Sequence, residues 1–231
     1  MDTASHGRLD GVIADLQRIF GGRLEAVVAF GRVGAEGTHS LALVNSLTMD
    51  DLNALALFAP QWHLGGAATP LVLPRDEFSR SLDAFPIEYG EIIDTHVVLV
   101  GQDPFVGIHI NPEDVRRAVE VQAASLLLHL RENFVDSAGR ASALHAVVRD
   151  SAAGFALLLR RMAHLDGHPS ETSADLSLWA SARAGLDPRV VGDVLALGAD
   201  ASAAVDPTRL FPGYLDTMSA LLRVIDRWSA S

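Results

Sequence analysis

The sequence predicts an α+β chain: an N-terminal half of short apolar strands alternating with helices, then an all-α helical bundle. Three observations carry that prediction. Four apolar runs, at 24–30, 41–44, 69–73 and 97–100, are too short for helices and end at glycine, asparagine or proline. Between them lie segments whose apolar residues recur three and four apart. From Pro112 the short runs stop and long helical patterns take over. The boundary falls between residues 104 and 112, giving units of 1–108 and 109–231.

The elements follow in order. Arg8 to Phe20 places Leu9, Val12, Ile13, Leu16, Ile19 and Phe20 on one helical face, and Gly21-Gly22 stops it. Leu24 to Phe30 is largely apolar and reads as a buried strand, and Leu41 to Val44 reads as its neighbour. Thr48 with Asp50 and Asp51 caps a helix running to Trp62, because a hydroxyl and early acids satisfy free N–H groups and the helix dipole. Gly65-Gly66 breaks the chain before a third strand, Thr69 to Leu73. Helical stretches at 76–82 and 86–93 precede a fourth strand, Val97 to Val100. Beyond Asn111, helices are predicted at 112–136, 142–165, 173–184, 188–197 and 208–228. Asn111-Pro112, Asp187-Pro188 and Asp206-Pro207 mark three of the starts.

Composition narrows the function classes. The chain has 231 residues, 49% of them hydrophobic, which suits a packed core and excludes disorder. No uncharged apolar run reaches the roughly 18 residues a spanning helix needs, and Met1 to Gly7 shows no apolar signal segment, so no membrane span is expected. Cysteine is absent, which removes disulfides, thiolate metal sites and cysteine nucleophiles, and fits a cytoplasmic protein. Residues 1–108 hold six arginines against fourteen carboxylates, a formal charge of −8, and residues 109–231 hold twelve against fifteen, −3. Gripping a phosphate backbone takes a basic stripe, so no nucleic-acid partner is expected.

One segment carries chemistry. From Val27 an apolar strand runs into Gly31, a glycine-rich turn passes through Gly34 and Gly37, and a second strand begins near Ser40. That layout, with the stretch from Phe85 to Phe105 and the helical tail, resembles the polymerase-beta-like nucleotidyltransferases. It looks most like bacterial minimal members with an appended helical domain, and the resemblance runs to about residue 160. It implies a nucleotidyltransferase-like small mixed sheet flanked by helices. It also implies a site in which the first strand ends in Gly-Ser and the next carries two aspartates one residue apart. Their side chains share a face, so they hold Mg²⁺ on a nucleoside triphosphate.

Carried over residue by residue, the site is depleted. Gly31 matches the turn glycine, Arg32 stands at the serine position, and Leu41 and Leu43 stand at the aspartate positions. The third carboxylate should come from the strand at Thr69 to Leu73, which has no acid. Leucine offers no oxygen to a hard cation. The expectation is therefore a catalytically degenerate nucleotidyltransferase-fold protein with no metal and no cofactor, acting as a nucleotide/phosphate-binding or protein-interaction module. Gly31, Arg32 and Gly34 are the candidate phosphate-binding residues, since a guanidinium beside a glycine turn can clasp a phosphate; the plainer reading of Arg32 is a solvent-facing loop residue. The alternative is an active nucleotidyltransferase with metal ligands elsewhere; Glu36 in the loop supplies one acid at most.

Other constellations weigh less. Arg140 and His145 fit the loose Arg-to-His spacing of HEPN ribonucleases, as do Arg161 and His168, and the pattern matches by chance in a chain this rich in arginine. His109, Asn111, Glu113 and Asp114 cluster, but a capped helix start accounts for the acids. His39 and His96 flank strands, and Trp62, Trp179 and Trp228 read as core or interface anchors. The helix at 112–136 sets Val115, Val119, Gln122, Leu126 and Leu130 in a stripe, with Leu127 and Phe134 in a neighbouring set, and the next is apolar round more than half its circumference. A homodimer or another protein partner through the helical half is the partner expectation.

Overall fold

β1 (Leu24–Phe30) lies inside a four-stranded sheet in the computed structural model, which describes residues 3–31, 38–168 and 172–228. β2 (His39–Val44) and β4 (Val97–Gly101) flank it antiparallel, and β3 (Leu71–Pro74) runs parallel to β2. The order β3-β2-β1-β4 makes the sheet mixed, and β1 is apolar except for Glu25, which pairs with Arg75, because both its faces are covered.

Side-chain alternation splits the core in two. Val27, Ala29, Ala42 and Val44 face α1 (Thr3–Phe20) and α2 (Met49–Leu64), meeting Leu9, Leu16, Leu55 and Trp62. Val28, Leu41 and Leu43 face the other way. They meet Phe78 of α3 (Arg75–Arg80), Tyr89 and Ile92 of α4 (Pro86–Thr95), and Phe105. The helix start read at Thr48 is a full capping box with Asp51. Asp51 also takes two hydrogen bonds from Arg23, at 2.8 and 2.7 Å, which ties the turn before β1 to α2. The Arg23 guanidinium, then the Thr48 hydroxyl and N–H, hold the Asp51 carboxyl well below the usual carboxylate range.

The second unit is helical: α5 (Pro112–Ser137), α6 (Ala141–Leu165), α7 (Ser173–Ala184), α8 (Pro188–Ala199) and α9 (Pro207–Arg227). Contacts divide the chain into Met1–Ile110 and Asn111–Ser231. α6 packs against α5, α7, α8 and α9, which explains its wide apolar surface. α6 is also long and apolar enough to cross a membrane by length and composition; in this fold it is the hub of the bundle. Val115, Val119 and Leu130 of the predicted α5 stripe are buried, as is Leu127 of its neighbouring set. Ala123 is also buried, while Gln122 and Leu126 are only half-buried. The architecture is α+β, a small mixed sheet with flanking helices followed by a helical bundle.

Candidate functional site

The glycine turn begins where β1 ends. Gly31 has φ +94°, a backbone conformation that side chains rarely adopt. A Cβ there would meet only His39 Cδ2, at 3.8 Å, so conformation rather than crowding requires the glycine. The Gly31 N–H donates to Thr95 Oγ1 at 3.1 Å, and the Thr95 hydroxyl donates to the Glu91 carbonyl at 2.7 Å. The last turn of α4 is thereby fastened to the mouth of the turn. On the far side, Phe30 and His39 stack with centroids 5.8 Å apart, and the Thr38 N–H donates to the Gly66 carbonyl at 3.2 Å. Arg32, Gly34 and Glu36 lie outside the described residues.

β2 brings Leu41 and Leu43 to one face, as alternation predicts, and both are fully buried. Phe78 sits among them, with Tyr89 edge-on at 4.8 Å and Phe105 at 5.6 Å. β3 sets Leu71 beside Leu41 and Leu73 beside Leu43. The two positions that would hold a cation are apolar and buried, Leu73 of β3 packs against them, and Leu71 is exposed. Among the described residues no three His, Asp or Glu side chains are grouped to hold a metal.

Thr95 is what the sequence reading missed. No motif marks it, and its meeting with Gly31 spans 64 residues. It brings with it the acids of α4, where Glu88, Glu91 and Asp94 stand three residues apart. Chemically, the turn offers a phosphate less than expected. Its first N–H is committed to Thr95, and no carboxylate stands on β2 or β3.

The remaining candidates are dispersed. His96 caps α4, with Nδ1 2.7 Å from the Ile93 carbonyl and Nε2 3.2 Å from Asp103, and it stands edge-on to Phe105. Asn111 accepts from the Glu113 N–H, and Glu113 and Asp114 pair with Arg116 and Arg117 in the first turn of α5. His109 is exposed. Arg140 is the N-cap residue of α6, and His145 Nε2 is 3.0 Å from the Ala201 carbonyl. Arg161 is buried and His168 Nδ1 is 2.8 Å from the Asp166 carbonyl. Trp62 and Trp179 are core anchors, their indole N–H groups bonded to Asp15 and Asp166 at 3.0 and 3.2 Å; Trp228 is the half-buried C-cap of α9.

No protein-family model matches the chain, and no curated protein matches it. Among solved structures, it is similar to spectinomycin adenyltransferase AAD(9) from Enterococcus faecialis, solved with ATP and spectinomycin. The TM-score is 0.57 at 11% sequence identity, over 93% of this chain and 99% of that one. The likeness extends over both units, so the fold is that of a nucleotidyltransferase with a helical C-terminal part.

Proposed function

We propose that this chain is a catalytically degenerate nucleotidyltransferase-fold protein, serving in the cytoplasm as a binding or interaction module. The observation that carries the reading is the burial of Leu41 and Leu43 against Phe78, Tyr89 and Phe105. An apolar layer at both ligand positions leaves a nucleoside triphosphate without the cation that neutralises it. What remains is a weak phosphate site at Gly31, Arg32 and Gly34, or pairing with another chain through the helices. Titrating ATP in EDTA against the wild type and Arg32→Ala separates these. Binding that is weak and falls at least about tenfold in the variant supports the phosphate site; an identical response in both assigns the module to protein interaction.

The likeness to an adenyltransferase solved with ATP favours a second reading, an active enzyme with ligands elsewhere. Beyond Glu36, the acid tied to the turn through Thr95 is Glu91, one turn before it on α4. If that reading holds, nucleotide transfer to an acceptor is detectable with Mg²⁺, and Glu91→Gln removes it.

A further inference from the structure

A groove of about 510 Å³ runs between α1 and α2, on the face of the sheet turned away from Leu41 and Leu43. Its floor is bare. Gly7 and Gly11 stand one turn apart on α1, with Ala14 a turn further on, and a Cβ at either glycine would meet no atom within 4 Å. Glycine inside a helix lowers its stability, and no packing within the molecule requires it here. A bare helical face does admit the close approach of another backbone.

The walls are apolar. Phe58 and Trp62 stack along α2 with centroids 6.3 Å apart. A groove walled by aromatic rings over a bare helical floor fits the apolar stripe of a helix laid along it. The ends are cationic. Arg18 lies over Phe58 at 5.5 Å, with only a 3.5 Å contact to Asp15, and Arg8 makes no hydrogen bond or ion pair among the described residues. Ten residues of helix separate them, about 15 Å. They are two of six arginines in a half of charge −8, set at the two ends of one groove.

We infer that the groove between α1 and α2 docks an amphipathic helix of a partner protein, whose apolar stripe lies on Gly7, Gly11 and Phe58 and whose acids meet Arg8 and Arg18. A second copy of this chain fits less well. Packed antiparallel through the same stripe, about a two-fold axis midway between Gly11 and Ala14, it brings Asp10 opposite Asp15, like charge on like. The inference is independent of the reading of the Gly31 site.

The probe is a synthetic helical peptide with a leucine–alanine stripe and two glutamates about 15 Å apart along its axis. Binding is followed by Trp fluorescence and anisotropy. The wild type binds it at about micromolar Kd. Arg8→Glu with Arg18→Glu weakens binding at least about tenfold, and replacing the peptide's glutamates by lysine restores it. Gly11→Leu abolishes binding, whereas Gly11→Ala keeps it and raises the melting temperature. If Gly11→Leu fails to fold, the charge-swap pair still decides the question. Absence of wild-type binding, or binding indifferent to both the charge swap and Gly11→Leu, overturns the inference. A doubled sedimentation mass that the charge swap abolishes overturns it in favour of a second copy.

Discussion

Leu41 and Leu43 sit at zero exposure against an aromatic cluster, so an aspartate at either position is a charge with no partner. Truncating one of them, as in Leu43→Ala, should cost about 3 kcal/mol through lost burial and the cavity left behind. Leu41→Asp with Leu43→Asp should cost much of a domain stability of roughly 5–15 kcal/mol, leaving the first unit unfolded. Urea denaturation measures both, and a double variant with the wild-type midpoint would show that these side chains do not share the apolar layer. Asp51 sets a pH dependence of the opposite kind. Its folded pKa lies below the unfolded value, first through Arg23 and then through Thr48. The contribution is therefore fully present above the unfolded pKa near 4 and is lost as the pH falls toward the folded value. Asp51→Asn should be less stable at pH 7 and show a flatter loss of stability between about pH 5 and 2. A pH titration of the melting temperature reads both slopes, and parallel curves for the two proteins would contradict the assignment.

At the scale of elements, the link between β1 and α4 is the feature most open to test. Thr95→Val removes the acceptor of the Gly31 N–H while keeping the side-chain volume. The variant should lose about 1 kcal/mol, with faster hydrogen exchange at Gly31. Unchanged exchange would mean that the turn is held by other contacts. The same link shows where sequence reading ends. β1 and β2 are legible because a covered strand must be apolar, and the α2 start because a hydroxyl and an acid three residues apart satisfy free N–H groups. Leu41 and Leu43 are placed on one face by alternation alone. Thr95 has no such local signature, since its partner, Gly31, lies 64 residues away just past the end of β1 and the two meet only through tertiary packing. The stripe on α5 departs from the reading at two positions for another reason. Gln122 and Leu126 continue a 3.5-residue rhythm from Val115, whereas the straight helix turns at 3.6 and carries Ala123 and Leu127 inward.

For the whole molecule, the two units bury separate cores, and their acid-side behaviour should differ in its cause. In the helical unit Asp166 is held low first by Arg183 and then by Trp179, joining the end of α6 to α7. Val121, Leu128 and Val135, exposed and seven residues apart on α5, are the apolar stripe this unit leaves uncovered among the described residues. Because α6 spends its apolar surface on its own neighbours, light scattering at micromolar concentration should give a mass near 24.6 kDa. A doubled mass that Leu128→Glu abolishes would assign the α5 stripe to a homodimer. The central claim concerns metal-assisted nucleotide binding. Calorimetric titration of ATP with and without Mg²⁺ tests it most directly: the two curves should coincide, with a Kd no tighter than about 1 mM, near −4 kcal/mol. A micromolar Kd that appears only with Mg²⁺ would contradict the account, because it would require carboxylate ligands that the buried Leu41 and Leu43 do not supply.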